Sequence, residues 1–167
     1  MAEKKADITV SEYLEAVRSK CTIKPLTRTG YETCFRRIVA DICSIYAGSK
    51  YGGPGRDLWL SKVNAVKLIK ITPDKVKDWQ TAYLNRAGLD PLSQRRAKTS
   101  CNTTIRQARS LFSKKILKAV SAVVTLPSPL PFDGIEYEPR QSLKYTSQID
   151  LSAAIQGRIR STFGAST

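Results

Sequence analysis

The sequence predicts an all-α bundle of four to five main helices, followed by a proline-rich linker and an orphan C-terminal helix. Three observations lead there. Apolar residues recur at i, i+3, i+4 and i+7, and no segment shows the convincing alternation of a strand. Helix-start signals such as Thr72-Pro73-Asp74 punctuate the chain. Of 167 residues, 41% are apolar and 25% charged, which suffices for a core and is too apolar for a disordered chain.

The elements follow in order. Residues 1–8 read as a flexible N-terminus. A first helix spans about Thr9 to Lys20, capped by Thr9 or Ser11, with Val10, Tyr13, Leu14 and Val17 as its apolar stripe. Ile23 to Leu26 is a break containing Pro25. Thr27 can cap a second helix to about Tyr46, whose apolar set (Tyr31, Cys34, Phe35, Ile38, Val39, Ile42, Ile45) spans roughly 140°. Gly48 to Arg56 is a glycine-rich loop, and Asp57 can cap a short helix bearing Leu58, Trp59 and Val63. Thr72 caps the next helix, with Val76, Trp79, Tyr83 and Leu84, and Gly88 ends it. Leu89 to Leu92 is a turn. Ser93 can cap the longest helix, to about Val120. Pro127, Pro129, Pro131 and Pro139 then make an extended linker, and Asp150 caps a last amphipathic segment with Leu151, Ala154, Ile155 and Ile159.

Composition narrows the function. Lys and Arg total 28 against 14 Asp and Glu, a net charge of +14, and the pI is near 9.9. Such a domain points to a polyanion partner or a membrane surface. The longest apolar run, Ile116 to Leu126, carries Lys118 and falls far short of the ~20 residues of a spanning helix. The charged N-terminus is no secretory signal, so the cytoplasm is the expected location. The chain has no histidine, which removes the commonest general base and metal ligand. Cys21, Cys34, Cys43 and Cys101 lack zinc-ligand spacing and read as reduced packing residues. No metal or cofactor is expected, and binding is favoured over catalysis.

The helix after Ser93 carries the argument. Ala97, Cys101, Ala108, Phe112 and Ala119 form its core face, within roughly 60°. Arg95, Lys98, Asn102, Arg106 and Arg109 form a stripe roughly 80° wide beside it, and Thr99, Thr103, Gln107 and Ser110 fill the third side. A solvated face interleaves acids at i+4. Here no acid occurs between Asp90 and Asp133, a stretch with eight Lys and Arg. Such a helix suits a DNA major groove, where Arg and Lys meet phosphate or guanine, Asn pairs with adenine, and Thr meets a thymine methyl or a phosphate. The second helix adds Arg28, Thr29 and Arg36 as DNA candidates, Arg28 and Thr29 being placed in its first turn. Arg37 can equally pair with Asp41.

The order of motifs is a helix, a Thr27-to-Tyr31 T-x-x-x-Y helix, a loop, ITPDKVKDW, a polar turn, and AKTSCNTTIRQARSLFSKKIL. This resembles the SAM-like core-binding domain of tyrosine recombinases, the phage integrase family, over about residues 8–120. Pro131-Phe132-Asp133-Gly134 and Tyr145 to Asp150 look like the linker and the opening of that family's catalytic domain. The resemblance implies half of a clamp around duplex DNA, a bacterial or phage origin, and a role in DNA recombination and integration. It maps DNA contacts onto Lys98, Thr99, Asn102, Thr29 and Gly30. The family's H-x-x-R motif has no counterpart in a chain without histidine, so the resemblance implies the DNA-binding half with no strand cleavage. The divisions are then 1–8, the DNA-binding domain 9–124, the linker 125–149, and 150–167 as the start of a catalytic domain. Expected partners are double-stranded DNA, the parent's catalytic domain, and further copies in a tetramer on DNA. The rivals are a helical transcription regulator, a basic adaptor for acidic protein segments, and an RNA binder. Against the last, no aromatic-rich sheet motif is present.

Overall fold

A capping box opens the first helix. The Thr9 hydroxyl accepts from the Glu12 amide, and the Glu12 carboxylate accepts from the Thr9 amide at 2.8 Å. The computed structural model describes residues 7–46 and 54–140. It is all-α, with six helices among the described residues: α1 Val10–Lys20, α2 Pro25–Ile42, α3 Pro54–Asn64, α4 Pro73–Asn85, α5 Pro91–Ser110 and α6 Lys114–Val120. A 3-10 turn, Leu68–Lys70, precedes α4. The described residues contain no strand; an isolated bridge joins Thr9 to Lys67, closing the start of α1 onto the stretch after α3.

Several expected boundaries move. The second helix begins at Pro25, with Lys24 in the cap position, and ends at Ile42, so Thr27 caps nothing. Proline fits the first helical turn, where its missing N–H is an orphan anyway; the expected break is the helix start. Asp57 lies inside the first turn of α3. Thr72 caps α4 as expected, accepting from the Lys75 amide. Asp90, not Ser93, caps α5, and its carboxylate accepts from both the amide and the hydroxyl of Ser93. The expected helix to Val120 is two helices, interrupted at Leu111–Ser113, where the amides of Leu111 and Phe112 bond three residues back. The interruption lets Leu111 and Phe112 both be buried. The expected Asp150 helix lies outside the described residues.

α2 packs most extensively on α5, α4 packs on both, and α6 lies against α1. The rings of Tyr13, Phe35, Phe112 and Phe132 meet at the centre. Phe112 stacks on Tyr13 with centroids 4.8 Å apart and meets Phe35 edge-on at 5.3 Å. The buried Tyr13 hydroxyl donates to the Leu111 carbonyl at 2.7 Å, and its pKa is raised first by burial and then by nearby Cys21. Tyr31 and Tyr83 pack against this core as expected. All four cysteines are free thiols, of which Cys101 is buried.

The proline-rich stretch after α6 contains no helix up to residue 140, and it lies on the bundle. Phe132 and Ile135 belong to the same core cluster as the helices. No helix among the described residues is long and apolar enough to cross a membrane.

Candidate nucleic-acid interface

α5 is amphipathic in three parts. Cys101, Thr104, Ile105 and Ala108 are its buried residues, all within roughly 100° of arc. The expected stripe of Arg95, Lys98, Asn102, Arg106 and Arg109 divides into an inner and an outer half. Lys98, Asn102 and Arg109, nearest the core, are half-buried; Arg95 and Arg106, farther round, are exposed.

Two of these inner residues, Asn102 and Arg109, meet the 130–138 segment. The Asn102 side chain makes a reciprocal pair with the Glu138 backbone, donating to its carbonyl at 2.9 Å and accepting from its amide at 2.8 Å. Arg109 donates to the carbonyls of Ile135 and Phe132, both at 3.1 Å, and lies 5.7 Å from the centre of the Tyr137 ring. From α4, the buried Gln80 amide donates to the Glu136 carbonyl at 3.0 Å. Four backbone carbonyls of this segment are thus held by α4 and α5 side chains. The Asn102 amide, expected to read adenine, is committed to backbone; so are two guanidinium nitrogens of Arg109.

The outer half continues round the helix. Arg95, Arg96, Thr99 and Arg106 are exposed, and Thr103 is half-buried. The Thr99 hydroxyl donates to the Arg95 carbonyl within the helix, which leaves its oxygen available as an acceptor. No carboxylate among the described residues lies within ion-pair distance of Arg95, Arg96 or Arg106. Arg96 was not among the expected contacts; it stands beyond the stripe and next to Thr103 on the wheel.

The candidates on α2 are differently placed. Glu32 is buried, and Arg18 of α1 donates to both its oxygens, at 2.8 and 2.6 Å. Arg36 approaches it at 3.4 Å and also donates to Asn64 at 3.0 Å; Arg28 stands 3.8 Å away. Burial would raise the Glu32 pKa, but the Arg18 hydrogen bond and the charges of Arg18, Arg36 and Arg28 outweigh it and hold the carboxyl below its ordinary value. Arg36, with its side chain 14% exposed, has its pKa lowered by burial despite Glu32. Arg28 and Thr29 also miss the expected first turn. The Arg28 amide is already bonded to the Lys24 carbonyl, and the Thr29 hydroxyl donates to the Pro25 carbonyl. Arg37 is exposed, and Asp41 accepts from the Trp79 indole instead.

Where α2 crosses α5, Gly30 and Cys34 face Gln107. A Cβ on Gly30 would lie 3.5 Å from the Gln107 Oε1. The Cys34 thiol donates to that same oxygen at 3.1 Å. At one end of this pair a recess of about 690 Å³ is lined by Lys20, Lys24 and Lys115 together with Tyr31 and Ser110. Among the described residues no group of three or more Cys, Asp or Glu is placed to hold a metal.

No family model matches this chain, and neither does a curated protein or a solved structure.

Proposed function

We propose that this chain binds double-stranded DNA as the core-binding domain of a tyrosine-type site-specific recombinase. It lays the outer face of α5 in the major groove. The observation that carries this reading is the row of exposed Arg95, Arg96 and Arg106 on one helix, none of them in a close ion pair, interleaved with Thr99 and Thr103. Unpaired guanidiniums at helical spacing neutralise phosphates and reach guanine edges, and the groove admits one helix. Arg28 and Arg36 serve the fold in this reading, and Asn102 and Arg109 anchor the following segment. The chain contributes binding to recombination and integration, without strand cleavage, in the cytoplasm. The tyrosine-recombinase assignment rests on the motif order from Thr9 to Leu117.

A competition experiment tests the reading. A labelled ~30-base-pair duplex is bound by the chain and challenged with unlabelled duplex DNA, duplex RNA and an acidic peptide. Duplex DNA displaces the label best if the reading holds. Displacement by the acidic peptide at equal concentration contradicts it and favours a protein-binding adaptor.

A further inference from the structure

The seam between α2 and α5 holds a polar group whose orientation is fixed by a neighbour. Gln107 lies on the Thr103 side of α5, half-buried, facing α2. Its Oε1 accepts the Cys34 thiol hydrogen at 3.1 Å. Its Nε2 has no partner among the described residues, so its two N–H donors are free. Gly30 of α2 stands opposite, and its missing side chain leaves the approach to the amide open; even a Cβ there would only touch Oε1, at 3.5 Å. Burial pushes the Cys34 thiol up, against the pull of nearby Arg37, so the sulfur keeps the proton it donates.

This arrangement has a chemical consequence. A glutamine reads adenine with both ends of its amide, accepting from N6 and donating to N7. The thiol turns Oε1 in toward α2, beside Gly30, so the end of the Gln107 amide left to face a base is its pair of Nε2 donors. In the major groove the base with two adjacent acceptors is guanine, through O6 and N7. We propose that Gln107 reads guanine at one position of the bound duplex, and that Cys34 is the positioning residue that turns its amide to do so. This inference rests on the duplex-binding reading above, and it adds a readout by base to a surface otherwise argued from charge.

The test is selection from a randomised duplex pool with the full chain. Four proteins are compared: the native sequence, Gln107→Ala, Cys34→Ala and Cys34→Ser. The native protein should enrich guanine at one position by roughly tenfold, the scale of one good base contact. Gln107→Ala should lose that enrichment with its salt dependence unchanged. Cys34→Ala should accept adenine as well as guanine there, because Oε1 is no longer held toward α2 and the amide can turn over. Cys34→Ser keeps a donor and should keep the guanine preference, which separates positioning from a general packing defect. The inference is overturned if Cys34→Ala selects as the native chain does, if Gln107→Ala keeps the full profile, or if Cys34→Ser behaves as Cys34→Ala. Each of those results leaves duplex binding intact. Absence of any salt-dependent duplex binding in the native protein would overturn the duplex reading itself.

Discussion

Arg18, Arg28 and Arg36 gather around the carboxylate of Glu32, whereas Arg95, Arg96 and Arg106 stand on α5 with no carboxylate at ion-pair distance among the described residues, Arg96 feeling only the longer-range charge of Asp90. Both sets lie on long helices of one bundle and read alike in a charge count. The first set binds α1 to α2 by satisfying a buried acid. It is a structural cluster of three cations on one buried anion, with the exposed Glu15 3.8 Å from Arg18 beside it, and Arg18, its best-placed member, holds both Glu32 oxygens. The second set stays hydrated and available. Net charge therefore overstates what a polyanion meets: the relevant quantity is the number of cations that the fold leaves unpaired.

The comparison can be broken most severely at Glu32. Glu32→Gln leaves three guanidiniums facing an uncharged amide. It should cost about 3 kcal/mol in urea denaturation, the low end for a broken buried pair because the Arg18 side chain is 40% exposed. The pH dependence has a definite sign. A carboxyl held below its ordinary value stabilises the fold above about pH 5 and loses that contribution as pH falls through its folded-state value. The gap between native and variant should therefore shrink at low pH. A gap that widens on acidification would contradict the cluster.

Phe132→Ala tests whether the segment after α6 is part of the core on the α5 side. Phe132 is 2% exposed and contacts Phe35 and Phe112, so a loss of about 3 kcal/mol is expected from the cavity left behind. An unchanged melting temperature would detach the segment from the fold. Asn102→Ala removes the reciprocal pair with Glu138 and should cost about 1–2 kcal/mol, while a DNA-reading asparagine would show its loss in binding and leave stability unchanged. The smallest effect has the opposite sign. Gly30→Ala should raise stability by about 0.5–1 kcal/mol in thermal melts, since glycine is costly inside a helix and the added methyl meets only ordinary contact.

Local signals carried much of the fold. Thr9 with Glu12, and Thr72-Pro73-Asp74, mark helix starts that the structure uses. Other features depend on distant residues. The break at Leu111–Ser113 has no glycine or proline to announce it, and it follows from burying Leu111 and Phe112 together. Asp90-Pro91 reads as a turn, yet the same pair supplies a cap and a first helical residue. On α5 the wheel separates core from cations correctly. It cannot show that Asn102 and Arg109 are claimed by backbone 36 and 26 residues downstream. Nor can it show that Gln107 is held by a thiol 73 residues upstream.

The salt dependence of duplex binding tests the division of the arginines most directly. Each phosphate contact contributes ~0.9 to the slope of log affinity against log salt. Replacing Arg95, Arg96 and Arg106 together by alanine should flatten the slope by about 3, whereas Arg28→Ala should leave it unchanged. A flat response in the native protein, or an equal change in both variants, would contradict the account.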